Sequence, residues 1–170
     1  MFSLKEQYQT ALFMPFSEDS EYYSLVSDLF ALKQVQSLDD FEQHAHISRL
    51  RHTFCVSYLS YKYCQEKNLN YKSAARAGLL HDLFYYDWRK AEDNSHRLHG
   101  FRHPGFALKN ALEITNLSAM EQDIIKKHMW PLTVALPKFR ESLVVSLIDK
   151  YCATMEVIYS KNTFNLEKKI

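Results

Sequence analysis

The stretch AARAGLLHDLF, residues 74–84, places Ala74, Ala77 and Gly78 at seven, four and three positions before His81. Offsets of three, four and seven fall on one face of a helix. The segment therefore reads as a helix with a seam of small residues, narrow enough for a neighbouring helix to approach closely. His81 and Asp82 close it. Adjacent helical residues point about 100° apart, so both side chains reach one point most easily at a helix end. The polar run that follows, RKAEDNSHRLHG, permits that ending.

Working outward from His81-Asp82, helical spacing continues almost everywhere, and no sustained period-two alternation competes with it. After a ragged N-terminus, Ser17 can cap a helix reaching about Gln34, with Tyr22, Leu25, Val26, Leu29 and Phe30 as its apolar stripe. A second helix is expected from about Ser48 to Gln65, and a third from Asn70 to the His81-Asp82 pair. Trp88 to Phe101 reads as a loop, and Pro104 stands where the next helix would begin. Ser118 and Glu121 make a capping box for a helix ending near Trp130-Pro131. The last helix spans about Arg140 to Tyr159, with Leu143, Val144, Leu147, Ile148, Tyr151, Cys152, Met155 and Ile158 as its expected buried stripe. The expected fold is all-α, a single domain over residues 1–170.

Composition narrows the function classes. Hydrophobic residues make up 46% and aromatics 14%, with three glycines and four prolines, which suits a well-filled helical core. A net charge of +1 argues against a broad surface for long nucleic acid. No apolar run reaches membrane-spanning or signal-peptide length, so no membrane partner is expected. Cys55, Cys64 and Cys152, odd in number and on helical stripes, read as reduced thiols, and the expected location is cytoplasmic.

Along the chain lie further candidate ligands: His52 upstream, then His103, His128 and Asp149 downstream. Successive sites are one or two helices apart, so each ligand can come from a different element. Imidazoles and carboxylates are the ligand types that borderline and hard divalent cations share. Each residue also has a plain structural reading. His52 shares a face with Cys55, Val56, Leu59 and Tyr63, where a core histidine could bond a backbone carbonyl. His103 could cap a helix start, and His128 could face the dipole at a helix end. His99 or His96 in the neighbouring loop could stand in for His103. Asp149 points away from the expected stripe and shares its face with Ser142, Val145, Ser146 and Ala153, which suits either a polar site or solvent.

The ordered set His52, His81-Asp82, His103, His128, Asp149 resembles the HD superfamily of metal-dependent phosphohydrolases, over about residues 48–152. The segments RLRHTF, GLLHD, HPGFALKNA and IIKKHMWP are similar to a subgroup that includes bacterial dinucleoside-polyphosphate hydrolases. HDLFYYDWRK and MWPLT depart from that subgroup. The resemblance implies a helical bundle of the HD-domain type and one or two divalent ions per chain. Iron or manganese suits the mixed donor set best, while Mg, Zn, Ni and Co remain compatible.

Asp82 can bridge two cations, with His52, His81 and Asp149 completing one site and His103 and His128 the other. Such a pair activates water for in-line attack at phosphorus. Arg49 is the first candidate to meet phosphate charge, followed by Arg102, Lys127 and Lys150. Asp87 is a candidate to orient water or protonate a leaving group. Tyr85, Tyr86, Trp88 and Trp130 are candidates to stack on a base. Together with these candidates, the resemblance implies hydrolysis of a small phosphorylated substrate, a nucleotide in the first instance. The alternative is a regulatory HD module that binds metal or nucleotide without turnover.

Overall fold

A computed structural model describes residues 3–44, 47–88 and 98–167, with backbone alone at 44 and 160–167. Its elements in chain order are α1 (Leu4–Phe13), α2 (Ser20–Phe30), α3 (Lys33–Gln36), a 3-10 turn (Ser37–Asp40), β1 (Glu42–His44), β2 (Ile47–Ser48), α4 (Arg49–Glu66), α5 (Tyr71–Leu80), α6 (His99–Ile114), α7 (Ala119–Lys127) and α8 (Arg140–Glu167). The fold is all-α, with β1 and β2 forming only a two-stranded antiparallel hairpin.

Helix α4 is the axis of the bundle. Leu50, Phe54, Cys55, Val56, Leu59 and Tyr61 are buried around its circumference, and α1, α5 and α8 pack against it. Ser48 caps it by accepting from the Arg51 N–H at 3.3 Å. Asn68, with φ 52°, turns the chain out of it in the left-handed region where Asn is tolerated. Asn70 then caps α5 by accepting from Ser73 N–H at 3.0 Å.

The small-residue seam on α5 meets α4 at Gly78. A Cβ there would lie 2.8 Å from the Cα of Ser57, so only glycine allows this approach of backbone to backbone. Tyr22, buried between α2 and α4, donates its hydroxyl to Ser57 at 2.8 Å and meets Phe54 edge-on at 5.6 Å. Each fully buried large side chain of this kind contributes about 1.5–3 kcal/mol.

The structure departs from the sequence expectation at several boundaries. The N-terminus is the helix α1, capped by Ser3 and anchored by Tyr8 and Ala11. Its last carbonyls would lack partners, but Arg51 on α4 donates to the carbonyls of Ala11 (3.2 Å) and Met14 (2.9 Å). Asp19, not Ser17, caps α2, which stops at Phe30 instead of running to Gln34. Helix α6 opens at His99, so Pro104 is inside it, not at its start. The Ser118–Glu121 capping box on α7 is present as expected. Helix α8 continues past Tyr159 to Glu167.

The largest correction concerns which face of α8 is buried. Ile148 and Cys152 of the expected stripe are buried, but so are Ser142, Val145, Ser146, Asp149 and Glu156, whereas Leu143, Leu147 and Ile158 of that stripe are 39%, 53% and 45% exposed. The helix turns its small and polar side inward because that side meets polar groups on α4, α5 and α7. No described helix is long and apolar enough to cross a membrane.

Candidate metal centre

Five helices or helix ends deliver the candidate ligands to one place. His52 comes from α4 and His103 from α6. His81 and Asp82 follow the last turn of α5, His128 ends α7, and Asp149 comes from α8. All six are buried.

The local bonding fixes the tautomer of each ring. Nδ1 of His81 lies 2.8 Å from the Gly78 carbonyl, Nδ1 of His103 lies 2.9 Å from the His99 carbonyl, and Nδ1 of His128 lies 2.8 Å from the Ile125 carbonyl. A carbonyl can only accept, so each Nδ1 carries the proton and each neutral ring presents a lone pair at Nε2. Nδ1 of His52 is held in the same way by the Glu156 carboxylate at 2.8 Å. These are the outer-shell bonds that aim imidazoles at a metal.

The four Nε2 atoms converge on two carboxylates. Asp149 Oδ1 is 3.1 Å from His52 Nε2 and 3.5 Å from His81 Nε2. Asp82 Oδ1 is 3.2 Å from His103 Nε2 and 3.4 Å from His128 Nε2, and its Oδ2 is 3.6 Å from His81 Nε2. Ligands at about 2.1 Å from a common ion would stand roughly 3–3.4 Å apart. The donor set therefore has metal-centre spacing. Two overlapping groups, His52–His81–Asp149 and His81–Asp82–His128, bring their ligand atoms within 4.8 Å of one another and can each hold an ion.

The set is short of donors. His81 Nε2 and Asp82 Oδ1 are buried without a hydrogen bond. Buried polar atoms without partners are costly and rare, and a cation would satisfy both at once. The electrostatics agree. Burial alone would raise the Asp82 and Asp149 carboxyls, but the surrounding histidines hold both well below the ordinary range. Burial opposes charge on His52, yet Glu156 and Asp149 keep it well above its usual value. Positive charge is favoured beside both carboxylates, while burial and the neighbouring rings of His103 and His81 lower the His128 pKa.

Beside the cluster opens a cavity of about 200 Å³, walled on one side by Asp82, His103, His128 and Asp149 and elsewhere by Gln43 and Lys150. Lys150 is held there by the His128 carbonyl at 2.7 Å and by Ser146, with its ammonium 3.7 Å from Asp149 Oδ2.

The other sequence candidates have different placements. Arg49 is fully buried, donating to Gln43 Oε1 (2.8 Å), the Phe84 carbonyl (2.6 Å) and the Tyr86 carbonyl (3.1 Å), with its guanidinium 3.7 Å from the Phe84 ring centre. It supports Gln43, which donates to Asp82 Oδ2 at 2.6 Å, so it stands behind the cluster where the sequence reading had it facing phosphate. Asp87 is half-buried and does not line the cavity. His99 lies within 3.0 Å of the Tyr86 hydroxyl and stacks on His103, while His103 itself reaches the cluster. His96 is outside the described residues. Lys127 pairs with Asp123 at 2.8 Å, and Arg102 is exposed.

Two participants escaped the sequence reading. Glu156 follows Asp149 by seven residues, two helical turns, so its spacing was a usable signal. Gln43 comes from a three-residue strand and carries no such periodicity. Comparison with protein-family models, with curated proteins and with solved structures gave no match.

Proposed function

We propose that this chain is a divalent-metal-dependent phosphohydrolase of the HD superfamily type, acting on a small phosphorylated molecule. A nucleotide is the substrate class we name. The observation that carries this reading is the convergence of four Nε2 lone pairs and two carboxylates, two of their atoms unsatisfied, in one buried cluster whose Asp82, His103, His128 and Asp149 border a cavity that also holds an ammonium. Structural zinc sites close on themselves with cysteines. Here the donor set is imidazole and carboxylate, and its wall is open.

Divalent ions at such a centre would supply Lewis acidity, lowering the pKa of water and offsetting charge at phosphorus. The chain's own residues supply the rest. Lys150 presents positive charge to an anionic group in the cavity. Gln43, held by Arg49, donates to Asp82 Oδ2 and leaves Oδ1 turned toward His103 and His128. The Nδ1 bonds keep all four rings in the ligating tautomer. Trp88 lies parallel to His99, at 10° and 5.5 Å, on the cavity wall and offers a flat face to a base.

The test is a panel of nucleoside mono-, di- and triphosphates, dinucleoside polyphosphates and aryl phosphates, assayed with Mn²⁺. At least one nucleotide should turn over, with activity lost on chelation and restored by metal. Metal uptake with no turnover of any substrate would replace the enzyme reading with a regulatory binding module.

A further inference from the structure

We propose that Glu156 is a positioning residue that makes the His52–His81–Asp149 end of the cluster the tighter of two ion sites. This rests on the metal-dependent reading above. Helix α8 grips the His52 ring from both edges. Asp149 faces Nε2 at 3.1 Å, and Glu156, two turns further on, bonds Nδ1 at 2.8 Å.

The other three rings rest on neutral backbone carbonyls, those of Gly78, His99 and Ile125. Only His52 has a full negative charge behind it. A charge-assisted bond is roughly twice as strong as a neutral one, and a carboxylate behind an imidazole raises its basicity as a ligand. The cluster is therefore asymmetric, with two carboxylates flanking His52 and Asp82 alone beside His103 and His128.

A second observation points the same way. Glu156 is fully buried, and its Oε2 makes no hydrogen bond. A carboxylate is an expensive way to hold a ring that a carbonyl holds elsewhere in the same cluster. Positive charge on the far edge of His52 accounts for its presence.

The experiment titrates the chelator-stripped full chain with Mn²⁺ and with Co²⁺. Wild type should show a tighter and a weaker ion. Glu156→Gln keeps an acceptor for Nδ1 but removes the charge, and should weaken the tighter ion by about 10–100-fold while leaving the weaker one in place. It should also shift the visible Co²⁺ absorption, which a change in packing alone would not do. Tyr8→Phe, altering a residue on which the Glu156 charge acts, should leave both affinity and spectrum as in wild type. Should Glu156→Gln fail to fold, Glu156→Asp carries the test, because the shortened side chain should also lose tight affinity and shift the spectrum. A variant that folds and binds the tighter ion as wild type does would overturn the assignment of Glu156 alone. A wild type that takes up no ion would overturn the metal-dependent reading and this inference with it.

Discussion

The Nε2 atoms of His103 and His128 face each other at 2.7 Å, although each ring has its Nδ1 against a backbone carbonyl. In two neutral rings this sets lone pair against lone pair. Only a proton or a cation makes such a contact favourable. With Asp82 Oδ1 beside both, the arrangement has the chemistry of a metal centre rather than of a self-satisfied polar core.

Replacing Asp82 tests this directly. Asp82→Asn keeps the size and shape of the side chain, so the metal-free protein should still fold, at a cost in Tm for losing the carboxylate that the surrounding histidines hold charged. Removing a ligand should cost more than loss of an outer-shell partner, so Mn²⁺ affinity should fall by at least about 100-fold. Melting curves with and without Mn²⁺ read both effects. A variant that folds and binds Mn²⁺ as wild type does would make Asp82 a structural residue.

Arg49 carries the second prediction. Arg49→Ala would strip Gln43 and the carbonyls of Phe84 and Tyr86 of a buried donor and open a cavity, at about 3 kcal/mol or more. For a domain of this size that lowers Tm by about 6–12 °C. A variant with wild-type Tm and a raised KM would return Arg49 to the role of phosphate contact.

The candidate ligands were legible because each sits at a helix end or on a helix face, and their spacing survives folding. Helix α8 shows why the rest was not. Leu143 and Leu147 make a convincing apolar stripe, yet α8 buries Ser146, Asp149 and Glu156 instead, because they satisfy partners on other helices. Ser146, for example, donates to the carbonyls of His128 and Trp130. Local periodicity records hydrophobicity and not the needs of a polar centre built from distant segments. Gln43 reaches Asp82 through a short hairpin, a tertiary relationship with no local pattern at all.

Acid should weaken the junction of α7 and α8 in a defined window. Burial of Asp123 opposes its charge, but Lys127, the Lys138 N–H and Ser142 more than offset it and lower its pKa. A depressed carboxyl stabilises the fold above its unfolded value, about 3.9, and that stability is lost as pH falls through the lower folded value. Asp123→Asn should therefore cost about 1–2 kcal/mol at neutral pH, with the gap to wild type closing below about pH 4. Denaturant unfolding at several pH values measures it, and a gap constant down to pH 2 would remove Asp123 as its cause.

The central claim is that the His52–His81–Asp82–His103–His128–Asp149 cluster is a metal centre, and elemental analysis of protein purified without chelator, paired with melting of the stripped protein in Mn²⁺, tests it most directly. Wild type should carry at least one equivalent of a divalent transition metal per chain. At a hundredfold excess of ion over Kd it should gain about 2.7 kcal/mol of stability, a Tm rise of about 5–11 °C, that is absent in Asp82→Asn. Wild type that carries no such metal and melts at the same temperature with and without Mn²⁺ would contradict it.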